Sequence, residues 1–205
     1  MGSLTGWSAL TILIAYLLFF FWGNALASRS AGRSIWLFSR ARGRDRLAAI
    51  GFRLSFVIAL LGSILCLTIP SLQRLDPLSL DLGFPFFGLI GVLIAASGAM
   101  IAFAAQISMG ISWRVGVVSG ETGPLVANGL YRYSRNPTFV GQLALLAGLT
   151  VALPSSPTFL AVALYYWSAS TQIRSEEAAL QESHGSDFIA YRDSVPRWLG
   201  WPLTK

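Results

Sequence analysis

Two polar stretches in a mostly apolar chain carry residue types that can do chemistry. The first, Gly129–Gly141, reads Gly-Leu-Tyr-Arg-Tyr-Ser-Arg-Asn-Pro-Thr-Phe-Val-Gly. Asn136 followed by Pro137 is a helix-start signal: Asn is a favoured N-cap, and Pro at the first helical position forgoes an amide that would be unpaired there. The amides of a helix start, with the helix dipole, suit a carboxylate or a phosphate. Arg132 and Arg135 add positive charge, and Tyr131 and Tyr133 add flat faces on which a base can stack. Gly129 permits a turn, and Gly141 leaves room for a ligand or another backbone to approach closely. Without a ligand the same stretch reads as a juxtamembrane loop, with arginines at lipid phosphates and tyrosines at the interface.

The second stretch starts Gln172-Ile-Arg-Ser-Glu-Glu and ends Tyr191-Arg-Asp-Ser-Val-Pro-Arg197. Arg174 and Glu177 are spaced to share a helix face, and Glu176 points to another. As a solvated helix exit this would be an intrahelical ion pair worth a few tenths of a kcal/mol. Combined with the first stretch, it makes one pocket with an anion site, aromatic faces, an arginine and a carboxylate pair. His184 before Gly185 reads as a helix C-terminus, where the imidazole suits the dipole and glycine ends the helix. No His/Cys/Asp/Glu group has metal-ligand spacing, so no metal is expected, and no glycine-rich phosphate loop is present. Cys66, the lone cysteine, sits in an apolar run and reads as inert packing.

The elements that position these stretches are membrane helices. Of 205 residues 54% are hydrophobic and 12% charged, against about 25% charged in soluble domains. The chain therefore reads as an all-α, polytopic membrane bundle forming a single domain over 1–205. Residues 1–108 hold three spans and 109–205 hold the polar stretches and two more. The five spans run near 4–26, 47–69, 84–107, 139–153 and from 158 onward. Pro154-Ser-Ser-Pro157 is too short for a soluble loop, so the fourth and fifth spans form a tight hairpin, the fifth continuing past the membrane to Gly185. The first span is long enough to stay as a helix, and no signal peptide is expected.

Arginine sets the orientation. The first loop carries Arg29, Arg33, Arg40, Arg42, Arg44 and Arg46, the third carries Arg114, Arg132 and Arg135, and the tail is basic. The second loop has only Arg74 with Asp76 and Asp81. The positive-inside rule puts the N-terminus outside and both polar stretches in the cytoplasm, at the inner membrane if the cell is bacterial. The net charge of +6 is thus assigned to lipid headgroups and topology rather than to nucleic acid. Ile35–Phe38, between arginines, is expected to lie along the interface as an amphipathic segment.

The C-terminal half resembles the isoprenylcysteine carboxyl methyltransferase and phospholipid methyltransferase superfamily of integral membrane enzymes. The matching pieces are Ser112-Trp-Arg, the Gly129–Gly141 stretch, the helical hairpin, Arg174 with Glu176-Glu177, and Gly185, Tyr191 and Val195-Pro196-Arg197. The resemblance implies a cytoplasmic S-adenosylmethionine pocket containing Tyr131, Arg135, Asn136, Pro137, Gly141, Glu176 and Glu177. Tyr131 or Tyr133 would suit adenine, and Arg174 and Glu177 would be the catalytic pair, with Arg132 and Arg135 as other candidates for the functional arginine. Many members carry His where this chain has Asn136, which removes any proton-transfer role there. The implied acceptor is amphiphilic, either an isoprenylcysteine-like carboxylate or a phospholipid amine. An NADPH-dependent, sterol-reductase-like enzyme and a non-enzymatic membrane scaffold are the competing readings.

Overall fold

The computed structural model describes residues 2–31, 42–79, 85–110, 113 and 124–201. The Ile35–Phe38 segment, Ser112, Arg114 and most of the run before Gly129 lie outside the described residues. Every regular element among the described residues is helical: α1 (Gly2–Ala31), α2 (Gly43–Thr68), α3 (Pro70–Leu75), α4 (Pro85–Met109), a 3-10 turn (Gly129–Arg132), α5 (Pro137–Ala152) and α6 (Ser156–Ser194). Prolines at 70, 137 and 157 sit where helices begin, and Gly110 follows α4 at φ +52°. Gly185 breaks α6 at φ +50°, where the sequence places a stop. Among the described residues three helices are long and apolar enough to cross a membrane, Leu4–Ser30, Gly43–Thr68 and Phe86–Met109. α5 is apolar but has 16 residues, about 24 Å at ~1.5 Å per residue, short of a bilayer core of about 30 Å.

The closest helix pair is α4 against α5. Gly91 and Gly98 on α4 meet Gly148 and Gly141 on α5, and a Cβ added at Gly141 would lie 2.6 Å from the Gly98 carbonyl oxygen. A Cβ at Gly148 would come equally close to the Gly91 carbonyl. Small residues let the two backbones touch, as membrane packing without a hydrophobic driving force favours. Gly141 thus serves the approach of a backbone, the second of the two uses its sequence allows.

Next to Gly141 in the chain, Gln142 ties three helices together. Its Nε2 donates to the Tyr16 hydroxyl at 2.6 Å, and the Tyr165 hydroxyl donates to its Oε1 at 2.6 Å. All three side chains are buried. α6 packs along α2, with Gly51 facing Ser168 and Gly62 facing Pro157.

At the far end from the polar stretches, Asp76 holds the start of α6. Its carboxylate accepts from the Ser156 amide at 2.7 Å, the Ser156 hydroxyl at 2.6 Å and the Leu78 amide at 2.9 Å. Burial pushes this carboxyl up, but the hydrogen bonds together outweigh it and leave it below the ordinary carboxylate value. Stability from such a group is present above its unfolded pKa, near 3.9, and fades as the pH falls through the lower folded value. Asp76→Asn is expected to cost about 1 kcal/mol at pH 7, the scale of a lost N-terminal cap. The deficit should close below about pH 4, read by thermal melting of both proteins in detergent.

Candidate functional site

The two polar stretches meet at one end of the bundle. After α6 the chain turns back and runs along the Gly129–Gly141 stretch. The Arg135 amide donates to the Pro196 carbonyl at 3.0 Å and the Gly200 amide to the Tyr133 carbonyl at 3.1 Å. The Tyr191 hydroxyl donates to the Tyr131 carbonyl at 2.8 Å. Trp198 stacks on Tyr166 of α6 with ring centroids 5.6 Å apart. Phe188, Tyr191 and Val195 form a small apolar cluster beneath this strap.

Inside it lies a cluster of charge. Glu177 accepts from Arg197 through both oxygens, Nε to Oε1 at 3.0 Å and Nη2 to Oε2 at 2.6 Å. Arg135 Nη2 lies 3.2 Å from Oε1 of the same carboxylate. The side chains of Arg135 and Glu177 are 9% and 13% exposed, that of Arg197 45%. Arg135 uses one nitrogen on Glu177, whereas its Nε and Nη1 are buried with no hydrogen-bond partner among the described residues. Burial pushes the Arg135 guanidinium below its ordinary pKa; Glu177 opposes this, and Arg197 adds to it. Arg197 is raised, chiefly by its hydrogen bonds to Glu177. Two guanidiniums around one carboxylate leave this trio one positive charge in excess, with two buried donors unspent among the described residues.

Asn136 occupies the N-cap position of α5, but its side chain makes no cap hydrogen bond. The amide instead donates from Nδ2 to the Arg197 carbonyl at 2.9 Å, so the returning strap takes the group that local rules assign to the helix start. The Asn136 amide is held by the Ser134 hydroxyl at 3.0 Å, and the first turn of α5 remains without a side-chain cap. Pro137 stands at the start of the helix as expected.

The remaining residues divide. Tyr131 is buried, its hydroxyl donating to the Ala105 carbonyl of α4 at 3.4 Å, so its ring is not an open face. Burial raises its pKa, and Glu176 adds to the rise, which places that carboxylate near it. Tyr133 is exposed, with Trp201 edge-on at 6.1 Å. Arg174 is exposed and reaches back to the Thr171 hydroxyl at 3.4 Å. Glu177 is therefore paired across the fold with Arg135 and Arg197, not along its helix with Arg174. Arg197 and Tyr191 carry more of this site than their residue types alone announce. Both lie in pieces that carry the family resemblance, which was the available signal.

Three membrane-length helices with a buried arginine–carboxylate cluster at one end define a polytopic helical membrane protein with a polar site. The family model for phospholipid methyltransferases matches residues 87–187, from α4 through most of α6. Over these residues the chain is similar to the isoprenylcysteine carboxyl methyltransferase and phospholipid methyltransferase superfamily of membrane enzymes, as its C-terminal motifs imply. No curated protein and no solved structure matches it.

Removing the Glu177 charge would leave Arg135 buried beside Arg197 without the carboxylate that pairs them. Glu177→Gln should destabilise the protein by about 3 kcal/mol, the scale of breaking a buried pair. Arg174→Gln, at an exposed position, should stay within about 0.5 kcal/mol. Melting temperatures of the two variants in detergent check the contrast; equal losses would return Arg174 to the ion-pair cluster.

Proposed function

We propose that this chain transfers a methyl group from S-adenosylmethionine to an amphiphilic, lipid-like acceptor at the cytoplasmic face of a membrane. One observation carries the reading beyond the family likeness: the two unspent, buried donors of Arg135. They suit the carboxylate of the cofactor's methionine part, and the uncapped amides of the first turn of α5 lie next in the chain to assist. The exposed ring of Tyr133 suits adenine, and Glu176 suits the ribose hydroxyls or the ammonium. Glu177 has both oxygens engaged, so its part is to position Arg135 and Arg197 rather than to take a proton. Arg174, exposed on α6, is left to meet an anionic lipid head. Bound in this way, S-adenosylmethionine supplies a methyl group on a positively charged sulfur, open to in-line displacement. Such a reaction is accelerated chiefly by positioning and electrostatics, which a rigid, strapped site provides.

The fold reading that accompanies this has α5 and the first part of α6 as fourth and fifth spans, joined at Leu153–Ser155. The whole chain is then one membrane domain with its N-terminus outside and its C-terminus in the cytoplasm. Arginine in alternate loops supports that orientation. The short α5 fits it if the polar stretch before Pro137 sits at the headgroup level.

Sealed membrane vesicles of both orientations test the function and the sidedness together. Methyl-labelled S-adenosylmethionine, which does not cross the bilayer, should label the lipid fraction of inside-out vesicles and leave right-side-out vesicles unlabelled. Label in right-side-out vesicles would reverse the topology. No protein-dependent label in either, with NADPH consumed instead, would replace the methyltransferase by a reductase.

A further inference from the structure

Two partners compete for the side chain of Asn136. Its place before Pro137 makes it the N-cap of α5, and a capping side chain accepts from the second or third amide of its own helix. Here its Nδ2 donates instead to the Arg197 carbonyl of the strap at 2.9 Å. A carbonyl can only accept, so the amide orientation is fixed by chemistry. The backbone agrees with this choice. An N-cap residue is normally extended, as is a residue before proline, whereas Asn136 has φ −134° and ψ 53°. The amides of the first turn are left over as a result. Pro137 has none, that of Val140 donates to the Asn136 carbonyl at 3.1 Å, and those of Thr138 and Phe139 precede any acceptor within the helix. Arg135, next in the chain, keeps Nε and Nη1 buried and without a partner among the described residues.

The strap that holds Asn136 is itself lightly held. Backbone hydrogen bonds tie it to Arg135 and Tyr133. Arg197, 45% exposed, ties it to Glu177, and the Trp198 ring lies on Tyr166. Its outer end, Trp201, is exposed. Segments held by exposed ion pairs and hydrogen bonds open at small cost. We propose that this strap gates the start of α5, with Asn136 as the moving part; the inference rests on the reading above that this helix start receives the cofactor carboxylate. With the strap docked, the Arg197 carbonyl keeps the Asn136 side chain off the Thr138 and Phe139 amides, and a carboxylate on Arg135 can use them. With the strap released, Asn136 loses its acceptor, returns to an extended backbone and turns Oδ1 onto those amides. The helix is then capped and the place of the carboxylate is filled. Cap and carboxylate compete for the same donors. A docked strap therefore favours the carboxylate, and a bound carboxylate holds the strap down by the same factor. Arg197 is a positioning residue in this scheme: its guanidinium anchors the strap on Glu177, and its carbonyl keeps the cap away.

Two substitutions at one position test the gate. Asn136→Ser and Asn136→Ala both lose the bond to Arg197, since neither side chain carries the amide donor, but only serine can cap. Titration calorimetry of the full-length variants in detergent should show Asn136→Ser binding S-adenosylmethionine about fivefold more weakly than Asn136→Ala, the scale of one N-cap. Equal affinities, or a weaker alanine variant, would overturn the gate and leave Asn136 a brace for the strap. If the alanine variant does not fold, wild type carries the test. Trypsin reaches the Arg197–Trp198 bond only when Arg197 leaves Glu177. S-adenosylmethionine should slow that cleavage about fivefold and its decarboxylated form should not. Equal protection by both, or none by a bound S-adenosylmethionine, would overturn the gate. A wild type that gives no heat with S-adenosylmethionine, while sulfate still binds Asn136→Ala more tightly than Asn136→Ser, would remove the methyltransferase reading and leave the gate standing.

Discussion

A guanidinium largely withdrawn from water fixes much of what surrounds it. The Arg135 side chain is 9% exposed and shares its carboxylate partner, Glu177, with a second arginine. Burying a charge is costly unless it is paired and hydrogen-bonded. The chain meets that cost by bringing α6 and the returning strap onto the start of α5, where Pro196 and Arg197 offer carbonyls to the Arg135 and Asn136 amides. The pairing is incomplete in one respect, two donors without acceptors among the described residues. Those two donors are what the proposed cofactor carboxylate would satisfy.

The helices beneath serve the same constraint. α5 must present its first turn at a set height, and it is too short to fix that height by spanning alone. Glycine contacts with α4 lock it laterally, and Gln142, bridging Tyr16 and Tyr165, locks it between α1 and α6. At the opposite end Asp76 holds α6 by its first amide. The hairpin is thus pinned at both ends, by Asp76 at its turn and by the returning strap at its polar end.

The helices were legible because apolar runs bounded by proline and glycine leave few other choices. Their bounds near Pro70, Pro137 and Gly185 follow from side chains that cannot continue a helix. Local spacing misassigned the partners. Three-residue separation pairs Glu177 with Arg174, yet the fold brings Arg135 and Arg197 to that carboxylate from other segments. The capping rule marked the position of Asn136 and missed its hydrogen bond, because the strap that claims its amide is distant in sequence. Gly141 was legible as a site of close approach, though not that α4 is what approaches. Gln142 went unread because a single amide in an apolar window has no periodic signature. Its importance appears only when another helix supplies the other half of the bond.

The claim that Arg135 awaits a carboxylate is tested most directly by comparing S-adenosylmethionine with its decarboxylated form, which differs by the loss of that group. Titration calorimetry on the wild-type protein should show the decarboxylated ligand binding at least about tenfold more weakly, the loss expected for hydrogen bonds to a charged group. Equal affinities would contradict the account and make the Arg135 cluster a structural clasp.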